Sequence, residues 1–189
     1  MNLSDEFDYV VVGCGPWGFA LTLELLKKNR KVICLEKLIP FAAFSKATRG
    51  MRMHSSIDTS YIDERNSLLS KSKKYKPLSK DLVESYKEII KKDNLPIISN
   101  TEVASTEYIN SKFFIKTNNL EIPNLISKKI VYATGTFSSP RKLSADIKSN
   151  KVNRFLIDPE KYKNENIVCI GGGFASIENS ILLSTNNKV

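Results

Sequence analysis

The stretch that most constrains this chain is residues 9–18, Tyr-Val-Val-Val-Gly-Cys-Gly-Pro-Trp-Gly. Four apolar, mostly β-branched residues run into Gly13-x-Gly15-x-x-Gly18, and a helical pattern follows, which reads as strand, tight turn and helix. The chemistry this suits is the grip on a dinucleotide pyrophosphate. Gly13 lets the chain turn sharply, Gly15 lets the backbone approach the phosphates, and Gly18 lets the helix pack on its strand. The helix N-terminus then directs uncommitted N–H groups and its positive dipole end at the anion. Pro16 fits the first helical turn, where a missing N–H costs nothing.

The strand is expected over 8–12 and the helix over 16–28, ended by Asn29-Arg30. Lys31-Val-Ile-Cys-Leu35 reads as a second strand, and Glu36 follows it directly. Its position after Gly18 is close to the roughly 20-residue offset at which an acidic side chain meets a ribose. A carboxylate accepts hydrogen bonds from both ribose hydroxyls and repels a 2′-phosphate, so this site favours FAD or NAD over NADP. Residues 37–78 lack strong periodicity. They hold the only histidine, His54, which reads either as a general base or flavin contact or as an ordinary partly exposed loop residue. Arg49, Arg52, Ser55 and Ser56 are candidates to meet an anionic ligand.

Residues 79–92 form a clear amphipathic pattern, with Ser79 as expected N-cap and Leu82, Val83, Tyr86, Ile89 and Ile90 on one face. Pro96–Ser99 reads as a strand, and 101–109, 113–117 and 119–122 as three short strands of a β-meander, with Asn110-Ser111 and Asn118-Asn119 as turns. Another apolar strand runs through Lys129-Ile-Val-Tyr-Ala-Thr-Gly135. After a loop-like stretch, Asn166-Ile-Val-Cys-Ile170 is expected as a strand entering Gly171-Gly-Gly173-Phe-Ala-Ser176, with a helix over 174–184. This second loop repeats the first with Ser176 in the last small position. The fold class is therefore α/β: a Rossmann-like dinucleotide-binding domain with a β-meander, plus the first βα unit of a second Rossmann domain. The expected boundaries are 1–140 (with the helix 79–92 and the meander 97–122), a connecting segment 141–165, and 166–189.

Composition narrows the function classes. Of 189 residues, 41% are hydrophobic and 26% charged, as in ordinary globular domains. No apolar run reaches the roughly 20 residues of a membrane span, and the acidic N-terminus lacks a signal-peptide core, so a cytoplasmic, membrane-free protein is expected. Cys14, Cys34 and Cys169 are spaced for neither zinc nor a redox pair and read as core fillers. The net charge of +9 is densest at Lys71, Lys73, Lys74, Lys76 and Lys80. With a single interleaved aromatic, Tyr75, that cluster reads as a solvated face rather than a nucleic-acid site.

The order of parts resembles the two-dinucleotide-binding flavoproteins, whose first site holds FAD and whose second holds NAD(P)H. Within them it looks most like flavin-containing monooxygenases and related N-hydroxylases. The resemblance rests on Gly13–Gly18, on Ile130-Val-Tyr-Ala-Thr-Gly-Thr-Phe-Ser-Ser-Pro140, and on Gly171-Gly-Gly-Phe-Ala-Ser-Ile-Glu178. It implies FAD contacts at Gly13, Gly15, Pro16, Trp17, Gly18 and Glu36, with Val103, Thr134 and Gly135 nearby, and NAD(P)H contacts at Gly171, Gly173, Phe174 and Ser176. Two family patterns are missing. No cysteine lies between Cys34 and Cys169, which disfavours the disulfide-reductase branch. Residues 141–166 hold neither histidine nor glycine, so the F-x-G-x-x-x-H fingerprint of Baeyer–Villiger and typical flavin monooxygenases is not met.

The leading expectation is an N- or S-oxygenating monooxygenase acting through a peroxyflavin on a small-molecule substrate with O₂. A flavin reductase or dehydrogenase with another acceptor, and a non-catalytic FAD-binding module, stay open. The family carries further strands after its second loop. The chain is accordingly expected to be the N-terminal portion of a longer flavoprotein, or to meet an oligomeric partner.

Overall fold

The computed structural model describes residues 6–45, 51–72, 74–136, 152–153 and 158–189. Arg49, Lys73, the Phe137–Pro140 end of the Ala-Thr-Gly stretch and most of the connecting segment lie outside them. The chain divides into two compact units, Met1–Ser45 with Arg52–Arg141, and Lys46–Met51 with Lys142–Val189.

In the first unit, β1 (Glu6–Val12) leads into α1 (Pro16–Lys27), followed by β2 (Val32–Leu35) and the short helices α2 (Ala42–Ser45) and α3 (Ile57–Ser60). Then come α4 (Ser79–Lys92), β3 (Ile97–Ile98), β4 (Val103–Ile109), β5 (Lys112–Thr117) and β6 (Asn124–Tyr132). The strands form one sheet in the order β3-β2-β1-β6-β5-β4. β1 is central and parallel to both neighbours, with Val11 opposite Cys34 of β2 and Val10 opposite Ile130 of β6. A strand buried on both faces needs a continuous apolar run rather than alternation; Val10 and Val11 are wholly buried.

Each face has its own core. Val11, Phe19, Leu23, Phe41, Leu82, Val83, Tyr86 and Ile89 join β1, α1 and α4 on one side. Phe7, Val10, Ile33, Leu35, Ile115 and Leu125 fill the other. The first core centres on three rings: Phe41 stacks on Tyr86 at 4.8 Å between centroids, and Phe19 meets both at 5.4 and 5.2 Å. The Tyr86 hydroxyl accepts the Ile62 N–H at 2.9 Å, so its polar end is also satisfied.

The meander differs from the sequence expectation at its third strand. Residues 119–122 form a turn, not a strand. The Asn119 side chain accepts the Glu121 N–H at 2.9 Å, and Pro123 has no N–H to offer, so the ladder resumes only at Asn124. From there a single strand, β6, serves two roles. It runs antiparallel to β5, with Ile115 opposite Leu125, and parallel to β1 as far as Tyr132. The expected separate strand from Lys129 is thus its second half. Ser79 is not the N-cap of α4 either. Leu78 holds that position, while buried Ser79 is the first helical residue, its hydroxyl turned to Met53 Sδ at 3.9 Å.

In the second unit α5 (Phe174–Ser184) occupies the expected residues. The expected strand 166–170 does not form as a ladder. Asn166 makes a single parallel bridge to Lys188, backed by Ile167 N–H to the Lys188 carbonyl and Lys188 N–H to the Glu165 carbonyl. The chain therefore returns beside its own entry across α5, the parallel seed of a βαβ unit. Val168 and Ile170, beyond that bridge, are 84% and 65% exposed. No helix among the described residues is long and apolar enough to cross a membrane.

Candidate dinucleotide-binding site

The turn after β1 is fixed from the β2 side. Gly13 N–H donates to the Leu35 carbonyl at 2.7 Å, and Phe41 N–H donates to the Cys14 carbonyl at 2.8 Å. Gly13 has φ +101°, and a Cβ there would fall 2.5 Å from the Ala133 carbonyl oxygen. A Cβ at Gly18 would fall 1.9 Å from the Gly13 carbonyl oxygen. Both positions thus require glycine for the close approach of α1, β1 and the end of β6. Gly15 is different. Its φ is −81° and a Cβ there would meet nothing within 4 Å, so nothing among the described residues excludes a side chain. The space belongs to whatever approaches the loop from outside.

Gly15 is also the N-cap of α1, and no side chain caps that helix. The first-turn N–H groups of Trp17 and Gly18 are therefore left for an acceptor from solution. Glu36, at the end of β2, is already bound to the loop. Its Oε2 accepts the Cys14 N–H at 2.7 Å and its Oε1 accepts the Leu38 N–H at 2.9 Å. The carboxylate is thereby held beside the anion site with lone pairs to spare for hydroxyl donors. The neighbouring segment is tied to it in turn: Thr101 N–H donates to the Glu36 carbonyl, and Asn100 N–H to that of Leu38, both at 2.8 Å. Val103 follows two residues later, its side chain packed against the second core. What it offers a ligand is backbone.

On the other flank, Ala133 N–H continues the ladder to the Val12 carbonyl, and exposed Thr134 and Gly135 follow. Gly135 has φ +73° and open space on its Cβ side. The structure therefore groups Gly13, Gly15, Pro16, Trp17, Gly18, Glu36, Thr134 and Gly135 around one loop. His54 is an exposed residue on a different segment, between Arg52 and α3. Cys14 and Cys34 are buried. A hydrogen bond with Cys34, and then burial, push the Cys14 thiol above its ordinary range, which disfavours the thiolate that a nucleophile needs. Lys71, Lys74, Lys76 and Lys80 are exposed. No group of acidic, histidine or cysteine side chains among the described residues is placed to hold a metal.

Sequence reasoning missed Phe41 and Leu38. Both serve the loop through backbone N–H groups, which leave no mark in residue identity.

The second loop stands by itself in the second unit. Gly171 has φ +118°, and among the described residues neither it, Gly172 nor Gly173 would bring a Cβ within 4 Å of a neighbouring segment. Gly173 is the N-cap of α5, again without a capping side chain. Ser176 and Ile177 N–H both donate to its carbonyl, at 3.0 and 3.2 Å, and Phe174 is 65% exposed.

Comparison with known proteins bears on this arrangement. The uncharacterized oxidoreductase CzcO of Bacillus subtilis is 28% identical over 193 residues, covering 94% of this chain and 52% of that protein. A thioredoxin reductase of Ureaplasma parvum is 25% identical over 187 residues, covering 97% of this chain and 53% of that protein. The chain thus spans about half the length of these curated relatives. Among solved structures, a bacillithiol disulfide reductase of Staphylococcus aureus superposes with a TM-score of 0.88 at 21% identity, over 97% of this chain and 55% of that one. A flavin monooxygenase of Stenotrophomonas maltophilia gives 0.81 at 16% identity, over 97% and 56%. These superpositions establish the fold. Over residues 10–189 the sequence matches the family described as pyridine nucleotide-disulphide oxidoreductase, and the chain belongs to that family of oxidoreductases.

Proposed function

We propose that the first unit holds FAD and that the chain forms part of a flavin-dependent oxidoreductase drawing electrons from NAD(P)H. The observation that carries this reading is the Gly15 cradle. Two glycines of the motif are required by the protein's own packing, while the third guards empty space at an uncapped helix N-terminus with a carboxylate beside it. Trp17 and Gly18 N–H would meet the pyrophosphate, and Glu36 the adenosine ribose. Bound FAD would supply the redox chemistry, accepting hydride from NAD(P)H and passing electrons on. The chain's own contribution is to fix the phosphate, orient the ribose and keep the flavin end over Thr134 and Gly135. Gly171, Gly173, Phe174 and Ser176 are the corresponding contacts for NAD(P)H in the second unit.

Within this class, N- or S-oxygenation of a small molecule with O₂ is the finer reading. The burial of both Cys14 and Cys34 favours it over a dithiol mechanism. A reductase with another acceptor is the alternative, and the solved relatives of this fold include both kinds.

Mixing the chain with FAD and separating unbound ligand by gel filtration tests the binding step: flavin absorbance should travel with the protein. Glu36→Gln should weaken FAD by roughly ten- to a hundredfold, the value of charge-assisted hydrogen bonds. Oxygen uptake on adding NADPH and an amine supports oxygenation; consumption of NADPH only with a dye acceptor favours the reductase. Protein that elutes without flavin after saturation sinks the FAD assignment.

A further inference from the structure

Trp17 is the only tryptophan in the chain, and it is 84% exposed. It is nonetheless in the first turn of α1, immediately before Gly18 and Phe19, both of which are buried. The helix geometry shows on which side of α1 it lies. Successive residues are displaced by about 100° around an α-helix. Gly18 faces the strand ends, since a Cβ there would lie against Gly13 and 3.4 Å from the Ala133 methyl. Phe19, one step further round, packs on Phe41 and Tyr86. Phe41 follows β2 and is bonded to the loop from that side. Trp17 is one step round in the opposite sense, so it lies on the side of α1 away from Phe19 and Phe41, one residue before the glycine that faces Ala133 at the end of β6.

The sheet order places β2 and β6 on opposite sides of β1. On the reading above, Glu36 at the end of β2 would take the ribose of the adenosine half. A dinucleotide laid across the loop therefore carries its other half towards β6, over the exposed Thr134 and the open face of Gly135. Trp17, with its large apolar surface in water, directly precedes the glycine that packs at the end of that strand.

We propose that Trp17 is a positioning residue for the flavin ring system: its indole packs against the isoalloxazine of FAD and sets where that ring lies over the end of β6. This inference rests on the FAD reading given above. Aromatic contact of this kind adds apolar burial and a preferred ring geometry. It acts on the half of the cofactor that the pyrophosphate loop and Glu36 do not reach.

The test compares FAD with ADP, which carries the adenosine and pyrophosphate but no flavin, on the wild-type chain and on Trp17→Ala and Trp17→Phe. Because Trp17 is exposed, both variants should keep the wild-type melting temperature. Trp17→Ala should weaken FAD about tenfold and leave ADP affinity unchanged. Flavin emission should be strongly quenched in the wild-type complex, since an indole in contact donates an electron to the excited ring. It should rise several-fold in Trp17→Phe at equal flavin loading. Equal loss of FAD and ADP affinity in Trp17→Ala would overturn the proposal, because Trp17 would then act on the loop and not on the ring. Unchanged flavin emission in Trp17→Phe would overturn it as well. In both cases the FAD assignment stands; a wild-type chain that binds ADP but no FAD removes both.

Discussion

The two glycine loops share a spacing but not a construction. In the first, Gly13 and Gly18 are locked by their neighbours: the turn, α1 and the end of β6 approach so closely that two Cβ positions are already filled by backbone. In the second, Gly171 is needed for its φ of +118°, yet no described residue crowds the Cβ side of the three glycines, and Ser176 takes the position of Gly18 with a side chain in place. The first loop is held by a sheet on both sides. The second is preceded by one bridge, Asn166 to Lys188. A motif thus states where a turn and a helix start lie, while the surrounding sheet determines how tightly its backbone must pack.

Substitution can break this contrast. The largest effect is expected at Gly18→Ala and Gly13→Ala, each destabilising by about 2–4 kcal/mol from backbone overlap and, at Gly13, an adverse φ. Gly173→Ala should cost about 1 kcal/mol or less, as at an ordinary helix N-cap. Urea unfolding of the three variants measures it, and equal losses at Gly18 and Gly173 would show the loops to be alike. Next comes Gly15→Ala. It should hardly change the urea midpoint but weaken FAD by roughly ten- to a hundredfold, separating a glycine kept for a ligand from one kept for packing.

The smallest effect concerns pH and belongs to the first unit. Asp63 is buried and receives Nε and Nη2 of Arg65 at 2.7 and 2.6 Å, with Asp93 also paired to Arg65. The hydrogen bonds from Arg65 hold the Asp63 carboxyl below its ordinary 3.8. The folded chain therefore binds fewer protons here than the unfolded one. The resulting stability is present in full above about pH 4 and is lost as the pH falls through the lowered value. Asp63→Asn should flatten the acid limb of a stability profile near pH 3–4, read by far-ultraviolet circular dichroism. A variant with an unaltered acid limb would show that the pair contributes nothing to acid sensitivity.

Elements with a strong local signal were legible in advance. The apolar run of β1, the amphipathic period of 79–92 and the glycine-to-helix transition at 174 each depend on residues close in sequence. The 119–122 strand failed because Asn119 and Pro123 together favour a turn that strand-like composition concealed. The 166–170 strand failed for another reason: its composition suits a strand, but a strand is made by its partner, and here the pairing is a single bridge. For the site, the motif glycines and Glu36 could be read directly, whereas Phe41 and Leu38 act through backbone groups on a loop without periodicity.

The sequence by itself determined that this chain would carry two dinucleotide-type loops, an acidic residue after the second strand, and an α/β architecture. These follow from steric rules for glycine, from hydrophobic periodicity and from spacing, all of which act over a few residues. Only the tertiary structure decided that β6 is one strand with two opposite pairings, that Glu36 is first bonded to the loop beside it, that Gly15 alone among its motif faces open space among the described residues, and that Trp17 is left exposed beside a buried Gly18 and Phe19. Each of those depends on which distant segments lie side by side. Register and close approach are set by the packing of the whole sheet, and no local run of residues encodes them.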